Sequence, residues 1–393
     1  MTSGRIRALT LRNRFIKTAT YEGMSPGGRV SPDLVEHHAA MARHGVALTT
    51  VAYAAVSPAA RTFPDQLLVD EENLSGFKAL TSAVHAHGGA VSLQLGHCGG
   101  FSKIKSPEGL APAGPSAGWN TYGLLMGVPR IRAMRVDEIE EIPAQFVRAA
   151  LLAKRSGFDA VEVHCGHGYL LSQFLSPAIN HRKDRWGGSL DGRARLSLAV
   201  VRALREALGD EMPILVKLNT RDAVVGGLEL EESIQVAAWL VNAGADAIVP
   251  SGGLVSRSPF YLMRGRVPVA AMIRAERHPA QKAAIRLFAP IVMKPYPYRS
   301  AFFLDDASRF VDALDTPIVL LGGVDSARAV TQAMARGFSF VAMGRALLAD
   351  PDFVPRFARG EDLVSRCNHC NACVGEMDMG GVRCVLGESR ASL

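Results

Sequence analysis

Two histidines and a tyrosine stand close together in the middle of the chain, in the segment His164-Cys-Gly-His167-Gly-Tyr169. They follow the short run Ala160-Val161-Glu162-Val163, which is typical of a buried strand. The glycines between them allow the backbone to turn sharply where that strand ends. Imidazole and phenol groups donate hydrogen bonds and transfer protons. We therefore predict that this segment forms the floor of a catalytic site.

A second group of reactive side chains is the cysteine cluster near the C-terminus, Cys367-x2-Cys370-x2-Cys373-x10-Cys384. Thiolates at this spacing can ligate a tetrahedral zinc ion or a [4Fe–4S] cluster, and free or disulfide-bonded cysteines are the third alternative. His369 is a further candidate ligand. Cys98 and Cys165 are predicted to be small packing residues. Four clustered cysteines in a long chain indicate metal chemistry in a reducing compartment rather than a disulfide scaffold.

The elements that must position these groups follow from a recurring pattern of amphipathic helix, glycine, short spacer and apolar strand. The glycines of the five repeats are Gly45, Gly88, Gly157, Gly244 and Gly337. Five repeats without hairpin signals indicate βα units and a parallel sheet. Three further apolar runs, Ile16–Ala19, Ile214–Leu218 and Ile318–Leu320, make eight strands. Without a GxGxxG sequence after the first strand, this count favours a (β/α)8 TIM barrel over a doubly wound open sheet.

Polar residues follow several of these strands at their C-terminal ends, where barrels carry their active sites. Besides the histidine segment, they are Thr18, Ala19, Thr20 and Tyr21 after strand one, Gln94 and His97 after strand three, and Lys217 and Asn219 after strand five. Strands seven and eight run into the turns Gly322-Gly323 and Gly344-Arg345. Backbone N–H groups and a guanidinium at such turns suit a phosphate.

Two long segments interrupt the pattern, residues 97–130 after strand three and residues 251–316 after strand six. The second carries the large side chains Phe260, Tyr261, Met263, Tyr296 and Tyr298. Because it follows the C-terminal end of a strand, it is either a lid over the substrate or a surface insertion that packs on itself.

The overall composition excludes several classes of protein. The chain has 393 residues, of which 48% are hydrophobic and 21% charged, as in ordinary soluble domains. The net charge of +7 comes without a polybasic run, so nucleic-acid binding is not indicated, whereas an anionic cofactor or substrate is. No apolar run reaches about 18 residues and no signal peptide is evident, so we expect a cytoplasmic protein without a membrane span.

Taken in order, these residues resemble the Old Yellow Enzyme family of FMN-dependent NADH:flavin oxidoreductases. The most specific parts are HCGHGYLLSQFLSP with the following Asn180, Arg182, Asp184 and WGGS, then Gln94-Leu95-Gly96-His97, VKLN at 216–219 and MGRALLADP at 343–351. The cysteine segment is similar to the cluster-binding segment of trimethylamine dehydrogenase and 2,4-dienoyl-CoA reductase. We therefore expect an FMN-binding barrel over residues 1–360 and a Cys-rich segment over residues 361–393.

The resemblance implies a catalytic role for each residue of the first segment. His164 and His167 would hydrogen-bond the carbonyl oxygen of an activated alkene, as an oxyanion hole does. Hydride would pass from flavin N5 to the β-carbon, and Tyr169 would protonate the α-carbon.

The same resemblance implies how FMN is held. Lys217 would lie near flavin N1 and O2, where a fixed cation raises the redox potential, and Gln94 would bond the pyrimidine edge. The remaining residues implied at the flavin are Thr18, Ala19, Thr20, Tyr21 and Tyr53 along the ring and Gly322, Gly323, Gly344 and Arg345 at the phosphate.

Three departures from the family pattern carry expectations of their own. Many members have Thr or Cys where Tyr21 stands, so Tyr21 should alter the flavin potential or the substrate space. The QLxHxGR pattern ends here in Gly99-Gly100, without the arginine. The chain begins close to its first strand, so we expect little of the hairpin usually found under the barrel.

Two functions follow from these expectations. The first is an NAD(P)H-dependent ene-reductase acting on a small enone or enoyl compound, without nucleic-acid or membrane partners and with homo-oligomerisation left open. The second is a flavin/Fe–S electron-transfer dehydrogenase or demethylase component, which would pass electrons through the cluster to a partner protein.

Overall fold

The structure, a computed structural model, describes residues 1–276 and 278–386. Its strands are β1 (Gly4–Ile6), β2 (Leu9–Leu11), β3 (Phe15–Lys17), β4 (Leu48–Ala55), β5 (Ala90–Gly96), β6 (Ala113–Gly114), β7 (Gly118–Trp119), β8 (Arg130–Ala133), β9 (Ala160–Cys165), β10 (Ile214–Asn219), β11 (Ala247–Ser251), β12 (Val319–Leu321) and β13 (Phe340–Met343).

The helices lie between and after these strands. They are α1 (Pro32–Arg43), α2 (Leu74–His85), α3 (Val136–Arg155), α4 (Leu170–Leu175), α5 (Leu190–Leu208), α6 (Leu230–Asn242), α7 (Val269–Ala275), α8 (Pro279–Val292), α9 (Leu304–Ala313), α10 (Ala327–Ala335), α11 (Arg345–Ala349), α12 (Phe353–Ala358) and α13 (Cys373–Glu376). Within the described residues, no helix is both long enough and apolar enough to cross a bilayer.

Eight parallel strands form the predicted barrel, in the order β3-β4-β5-β9-β10-β11 with β12 and β13 completing the circle next to β3. The ring is nearly closed, since β11 meets β12 through the bridge between Ile248 and Ile318, and the Ile248 N–H donates to the Pro317 carbonyl at 3.0 Å. All eight strands lie where the sequence predicts them. The first ends at Lys17 rather than Ala19, because the chain leaves the barrel there to form the loop that carries Tyr21.

The hairpin under the barrel is present, so the expectation that little of it remains is wrong. Strands β1 and β2 pair antiparallel from Gly4 with Leu11 to Ile6 with Leu9. The connecting turn is short, with Arg7 at a φ of 50°. Because both strands have three residues, the few residues before β3 suffice to bury Ile6 and Leu11 at the bottom of the barrel.

The core has two layers, as expected for a parallel sheet covered on both faces. Side chains such as Ile16, Leu48 and Phe340 fill the bottom of the barrel interior. Outward-facing residues such as Val51 and Val161 pack with the surrounding helices in a much larger layer. Apolar packing at the bottom leaves the upper interior, at the C-terminal strand ends, to polar side chains.

The interrupting segments and the C-terminal segment lie over these C-terminal strand ends. Residues 97–130 contribute β6 and β7, and β8, which begins where this segment ends, completes a small three-stranded sheet. The segment after β11 contains α7 and α8, and α7 packs against α13 so closely that a Cβ on Gly375 would lie 2.9 Å from the Ala271 carbonyl oxygen. These additions cover one side of the barrel mouth.

Candidate active site

A cavity of about 290 Å³ lies at the C-terminal ends of the barrel strands. Every residue predicted to be catalytic or to bind the cofactor lines it: Thr18, Ala19, Thr20, Tyr21, Tyr53, Gln94, His164, His167, Tyr169, Lys217, Gly322, Gly323, Gly344 and Arg345. Cys367 and Cys373 line it as well, whereas Cys370 and Cys384 do not. His97 lies outside it and lines a separate cavity beside α3.

The histidine segment forms a compact group at the end of β9. The His164 ring lies 5.0 Å from the His167 ring and 4.5 Å from the Tyr169 ring, centroid to centroid. The backbone reverses between them, with His167 at a φ of 60° and Gly168 at 83°. A histidine in this left-handed conformation is sterically costly, so the surrounding structure must hold it in place.

Asn219 and Ser251 provide that support. The Asn219 side chain accepts a hydrogen bond from the His167 N–H at 2.9 Å and donates to Asp222 and to the Gly253 carbonyl. The His167 Nε2 atom lies 2.7 Å from the Ser251 hydroxyl. Neither residue was assigned a role from the sequence, although each ends its strand on the site face. Their position at the ends of β10 and β11 was the available signal.

Burial fixes the protonation states of this group. It lowers the pKa of His164 far below the usual value and that of His167 to about 3, and nearby Lys217 acts in the same direction. Burial also raises the pKa of Tyr169. At neutral pH the site therefore contains two neutral imidazoles, each with one N–H donor, and a protonated phenol.

The tautomers follow from the neighbouring atoms. The Gly166 N–H points to the His164 Nδ1 atom at 3.4 Å, so the proton of His164 belongs on Nε2. If the Ser251 hydroxyl donates to Nε2 of His167, the N–H of that ring is at Nδ1. Ser251 therefore decides which His167 nitrogen can donate a hydrogen bond.

The floor of the cavity contains a buried ion pair that the sequence did not reveal. Lys217 donates to Glu162 at 2.8 Å and to the Thr18 hydroxyl at 3.1 Å, and Gln94 donates to the same Glu162 oxygen at 2.7 Å. Glu162 is two residues before His164 on β9, so it faces the barrel interior as His164 does. The positive charge expected from Lys217 alone is thus largely neutralised by Glu162.

A second buried ion pair braces the loop after β3. Lys17 pairs with Glu22, whose other carboxylate oxygen accepts the Ala52 N–H at 3.3 Å. The His38 ring also lies beside Glu22, with its Nε2 atom 3.4 Å from the carboxylate. Burial lowers the pKa of Lys17 and of His38. The pair holds the loop that places Tyr21 at the cavity.

Aromatic side chains form the upper wall of the site. Tyr21 packs edge-on against Phe63, with centroids 4.8 Å apart, and lies 6.2 Å from Tyr53. Tyr53 lies 4.8 Å from Tyr169, centroid to centroid, and its hydroxyl donates to the Thr62 hydroxyl at 3.2 Å. Tyr21 is therefore part of the aromatic wall that lines the cavity.

The two glycine turns present backbone donors to the other end of the cavity. The N–H groups of Gly323 and Gly344 donate to no other part of the described chain. Gly323 has a φ of 79°, and a Cβ there would lie 2.9 Å from the Ala301 nitrogen, so only glycine fits. Arg345 donates through Nη1 to the Arg264 carbonyl at 3.0 Å and to the Asn371 side chain.

These features fit the flavin that the sequence implies. A flavin mononucleotide has a planar ring with a polar edge and a phosphate at the far end. Gln94 and Lys217 provide polar groups on the floor, and the free N–H groups with Arg345 provide an anion site in the same cavity, after β12 and β13.

The four cysteines lie together at the side of this cavity but do not form a closed single-ion site. Within the described residues, the one set of three ligand atoms that all lie within 4.8 Å of each other comes from Glu22, His37 and His38, whose carboxylate already pairs with Lys17. Thiolates around one zinc ion would be roughly 3.8 Å apart at the usual Zn–S distance. Among the residues that the structure describes, no three of the four thiols all lie within 4.8 Å of one another.

The long segment after β11 combines both of its predicted roles. Met263 lines the cavity, as a lid residue would. Tyr261 packs against Tyr296 and Phe303, with centroids 5.3 and 5.7 Å apart, so that part of the segment packs on itself. Tyr298 stacks on His369, with centroids 3.3 Å apart, and connects the segment to the cysteines.

Known proteins share this fold and much of this sequence. The chain is 40% identical to a 4,4'-dithiodibutanoate disulfide reductase of Rhodococcus erythropolis over 391 residues, covering 98% of this chain and 94% of that protein. It is 30% identical to an NADH oxidase of Thermoanaerobacter brockii over 95% of this chain, but spans only 53% of that protein. A structure of 2-naphthoyl-CoA reductase with 2-naphthoyl-CoA superimposes with a TM-score of 0.79 at 23% identity, covering 97% of this chain and 55% of that one.

The family itself is shown by a sequence profile described as the NADH:flavin oxidoreductase / NADH oxidase family, which matches residues 5–257. The match includes ten of the fourteen residues predicted to be catalytic or to bind the cofactor, and ends before the two glycine turns. It confirms the resemblance inferred from the motifs. The chain belongs to the NADH:flavin oxidoreductase / NADH oxidase family, the family of the Old Yellow Enzymes.

Proposed function

We propose that this protein binds FMN, takes electrons from NAD(P)H and reduces the activated C=C bond of α,β-unsaturated carbonyl compounds. The observation that carries the proposal is the group of His164, His167 and Tyr169 on one side of a cavity whose floor and far end suit a flavin. Bound FMN would supply the hydride for the β-carbon. The rest of the chemistry falls to side chains of the chain.

The two imidazoles would bind and polarise the substrate carbonyl. Both are neutral, because burial lowers their pKa values, and each can donate one N–H. Two fixed donors stabilise the negative charge that develops on the carbonyl oxygen during reduction. Neutral donors are suitable here because they do not need to lose a proton or gain a charge in a water-poor site.

Tyr169 would donate the proton to the α-carbon. Burial raises the pKa of its phenol, so the hydroxyl keeps its proton at neutral pH. The Tyr53 ring packs beside Tyr169, with centroids 4.8 Å apart, and fixes the direction of the phenol.

The proposal is tested with wild-type protein purified under anaerobic conditions. We expect two visible absorption bands from bound flavin, bleaching on addition of NADH or NADPH, and recovery of the bands on addition of cyclohexenone with formation of cyclohexanone. Protein that retains no flavin would contradict the proposal. Protein that is reduced by NAD(P)H but not reoxidised by any enone would refute the choice of substrate class while leaving the cofactor intact.

A second candidate function is reduction of a disulfide. It is favoured by the relative named as a disulfide reductase, which is 40% identical over nearly the whole of both chains. The same cavity would receive the substrate, two electrons would cleave its S–S bond, and two protons would convert both sulfurs to thiols. Reoxidation of the reduced protein by 4,4'-dithiodibutanoate, with two thiols formed per flavin, would select this function over alkene reduction.

We further propose that Cys367, Cys370, Cys373 and Cys384 hold a [4Fe–4S] cluster. In the described residues no three of their thiols all lie within 4.8 Å of one another, and a four-iron cluster is a larger body than one zinc ion and takes ligands farther apart. Cys367 and Cys373 line the flavin cavity, so a cluster there could exchange electrons with the flavin or with a partner protein. Iron and sulfide analysis tests this, and zinc or no metal in anaerobically purified protein would contradict it.

A further inference from the structure

Asn371 lies at the junction of three segments that are far apart in sequence. Its side chain is fully buried and every polar atom of it is used. The amide nitrogen donates to the carbonyls of Arg264 at 3.2 Å and Arg266 at 2.9 Å, and the amide oxygen accepts from Nη1 of Arg345. Asn371 also has a φ of 59°, a conformation that asparagine tolerates better than most residues.

Arg345 is held by one edge of its guanidinium group. Nη1 donates both to Asn371 and to the Arg264 carbonyl. No acceptor for Nε or Nη2 occurs among residues 1–276 and 278–386. Since an arginine presents a rigid planar fork, fixing one edge also fixes the direction of the donors that remain. These donors belong to a residue that lines the cavity next to Gly344.

Asn371 belongs to the Cys-rich segment, so its position depends on how that segment is held. The residue stands between Cys370 and Cys373, two of the proposed metal ligands. Farther along, the Val382 N–H donates to the Glu22 carbonyl at 2.7 Å, and Met377 packs so closely on Gly23 that a Cβ there would lie 2.0 Å from the Met377 carbonyl oxygen. The segment is thus fastened to both sides of the cavity.

We propose that Asn371 is a positioning residue for the flavin phosphate, and that through it metal binding at the four cysteines and FMN binding in the cavity favour each other. The inference rests on the proposed function, in which FMN places its phosphate at Arg345. Metal ligation fixes the backbone on both sides of Asn371, and Asn371 fixes the direction of the Arg345 side chain. Arg345 then loses less conformational freedom when it binds the phosphate. Coupling of this kind is reciprocal.

The experiment compares FMN with riboflavin, which has the same ring but no phosphate. Full-length wild type, Asn371→Ala and Asn371→Asp are reconstituted with each flavin, and dissociation constants are measured from flavin fluorescence. Both variants should bind FMN roughly tenfold more weakly, as for loss of one charge-assisted contact, with unchanged affinity for riboflavin. Arg345→Ala should show the same selective loss, and Asn371→Ala/Arg345→Ala should lose little more than either single variant.

Asn368→Ala is the matched control. Asn368 is an exposed asparagine in the same segment whose side chain contacts only the Cys370 N–H, at 3.2 Å. It should leave the ratio of FMN to riboflavin affinity at the wild-type value. Asn371→Asp keeps an oxygen for Arg345 but adds a negative charge at the phosphate end, so it tests the position even if Asn371→Ala does not fold.

Metal dependence supplies the second measurement. Cys370→Ser should lower the iron content and weaken FMN binding selectively over riboflavin binding. In wild type, bound FMN should slow the loss of iron to a chelator severalfold, whereas bound riboflavin should not.

The outcomes separate this inference from the function on which it rests. Wild type that binds neither flavin would overturn both. Wild type that prefers FMN, with variants at position 371 showing the same preference, would overturn the positioning role alone. Equal loss of FMN and riboflavin affinity in the variants would also overturn it, because it would show a general structural effect and not one on the phosphate.

Discussion

The two ends of the cavity differ in which parts of the chain hold their polar side chains in place. At the floor, Glu162, Lys217 and Gln94 stand on neighbouring barrel strands and bond directly to one another. At the phosphate end, Arg345 is held by residues from two added segments, Arg264 and Asn371. The floor is therefore fixed once the barrel folds, whereas the phosphate end is complete only after the added segments have docked. Under the proposed function, retention of FMN would therefore depend on the docking of these added segments.

The largest expected effect comes from breaking the ion pair of the floor. Lys217→Met would leave the Glu162 carboxylate buried without its partner, which typically costs about 3–5 kcal/mol of stability. The variant should unfold at lower urea concentration and be purified without flavin. In Glu162→Gln/Lys217→Met both charges are removed, so much of the stability should return while flavin binding stays weak. Equal stability of Lys217→Met and wild type would show that the floor is not held by this pair.

A smaller effect is expected at Ser251, whose hydroxyl supports the His167 ring. Ser251→Ala removes the hydroxyl 2.7 Å from His167 Nε2 and frees the ring to change tautomer. We expect kcat/KM for cyclohexenone to fall roughly tenfold, the usual loss for one hydrogen bond, with the rate of flavin reduction unchanged. Ser251→Thr keeps a hydroxyl and should restore most of the activity. A wild-type kcat/KM in Ser251→Ala would show that the Ser251 hydroxyl does not support His167 in catalysis.

A further effect, absent at neutral pH, concerns acid stability outside the cavity. Burial lowers the pKa of His97 to about 4, while the unfolded chain takes up this proton near 6.5. The stabilisation is therefore present above pH 6.5 and is lost as the pH falls towards 4, with a slope of about 1.4 kcal/mol per pH unit for one proton. Urea unfolding between pH 7 and 4 should show a shallower decline for His97→Asn than for wild type. The exposed His181→Asn should not change the slope, and an unchanged slope in His97→Asn would contradict the prediction.

Most of the fold and the membership of the cavity could be predicted because their signals are local. Each helix–glycine–strand repeat can be recognised from a short stretch of sequence. Once a barrel is recognised, the residues at the C-terminal strand ends must converge. The hairpin under the barrel was missed because its two three-residue strands and the left-handed Arg7 leave no periodic pattern.

What the sequence could not provide is the pairing between distant groups. Glu162 has the appearance of an ordinary strand residue, and only its alternation with His164 places it on the interior face. The contact between Arg345 and Asn371 joins residues on separate elements, and no local pattern predicts which acceptor a long guanidinium will reach. The spacing of the four cysteines along the chain likewise allows both zinc and an Fe–S cluster, and the arrangement of the thiols in space is needed to choose between them.

The central claim is that Tyr169 supplies the substrate proton, and single-turnover kinetics of Tyr169→Phe test it most directly. Reduction of the flavin by NAD(P)H and its reoxidation by cyclohexenone are measured separately, with Tyr261→Phe, whose phenol packs outside the cavity, as the control. We predict that Tyr169→Phe slows reoxidation by about 10²–10⁴-fold, the usual range for a general acid, and leaves reduction at the wild-type rate. Equal slowing of both steps, or of neither, would contradict the account.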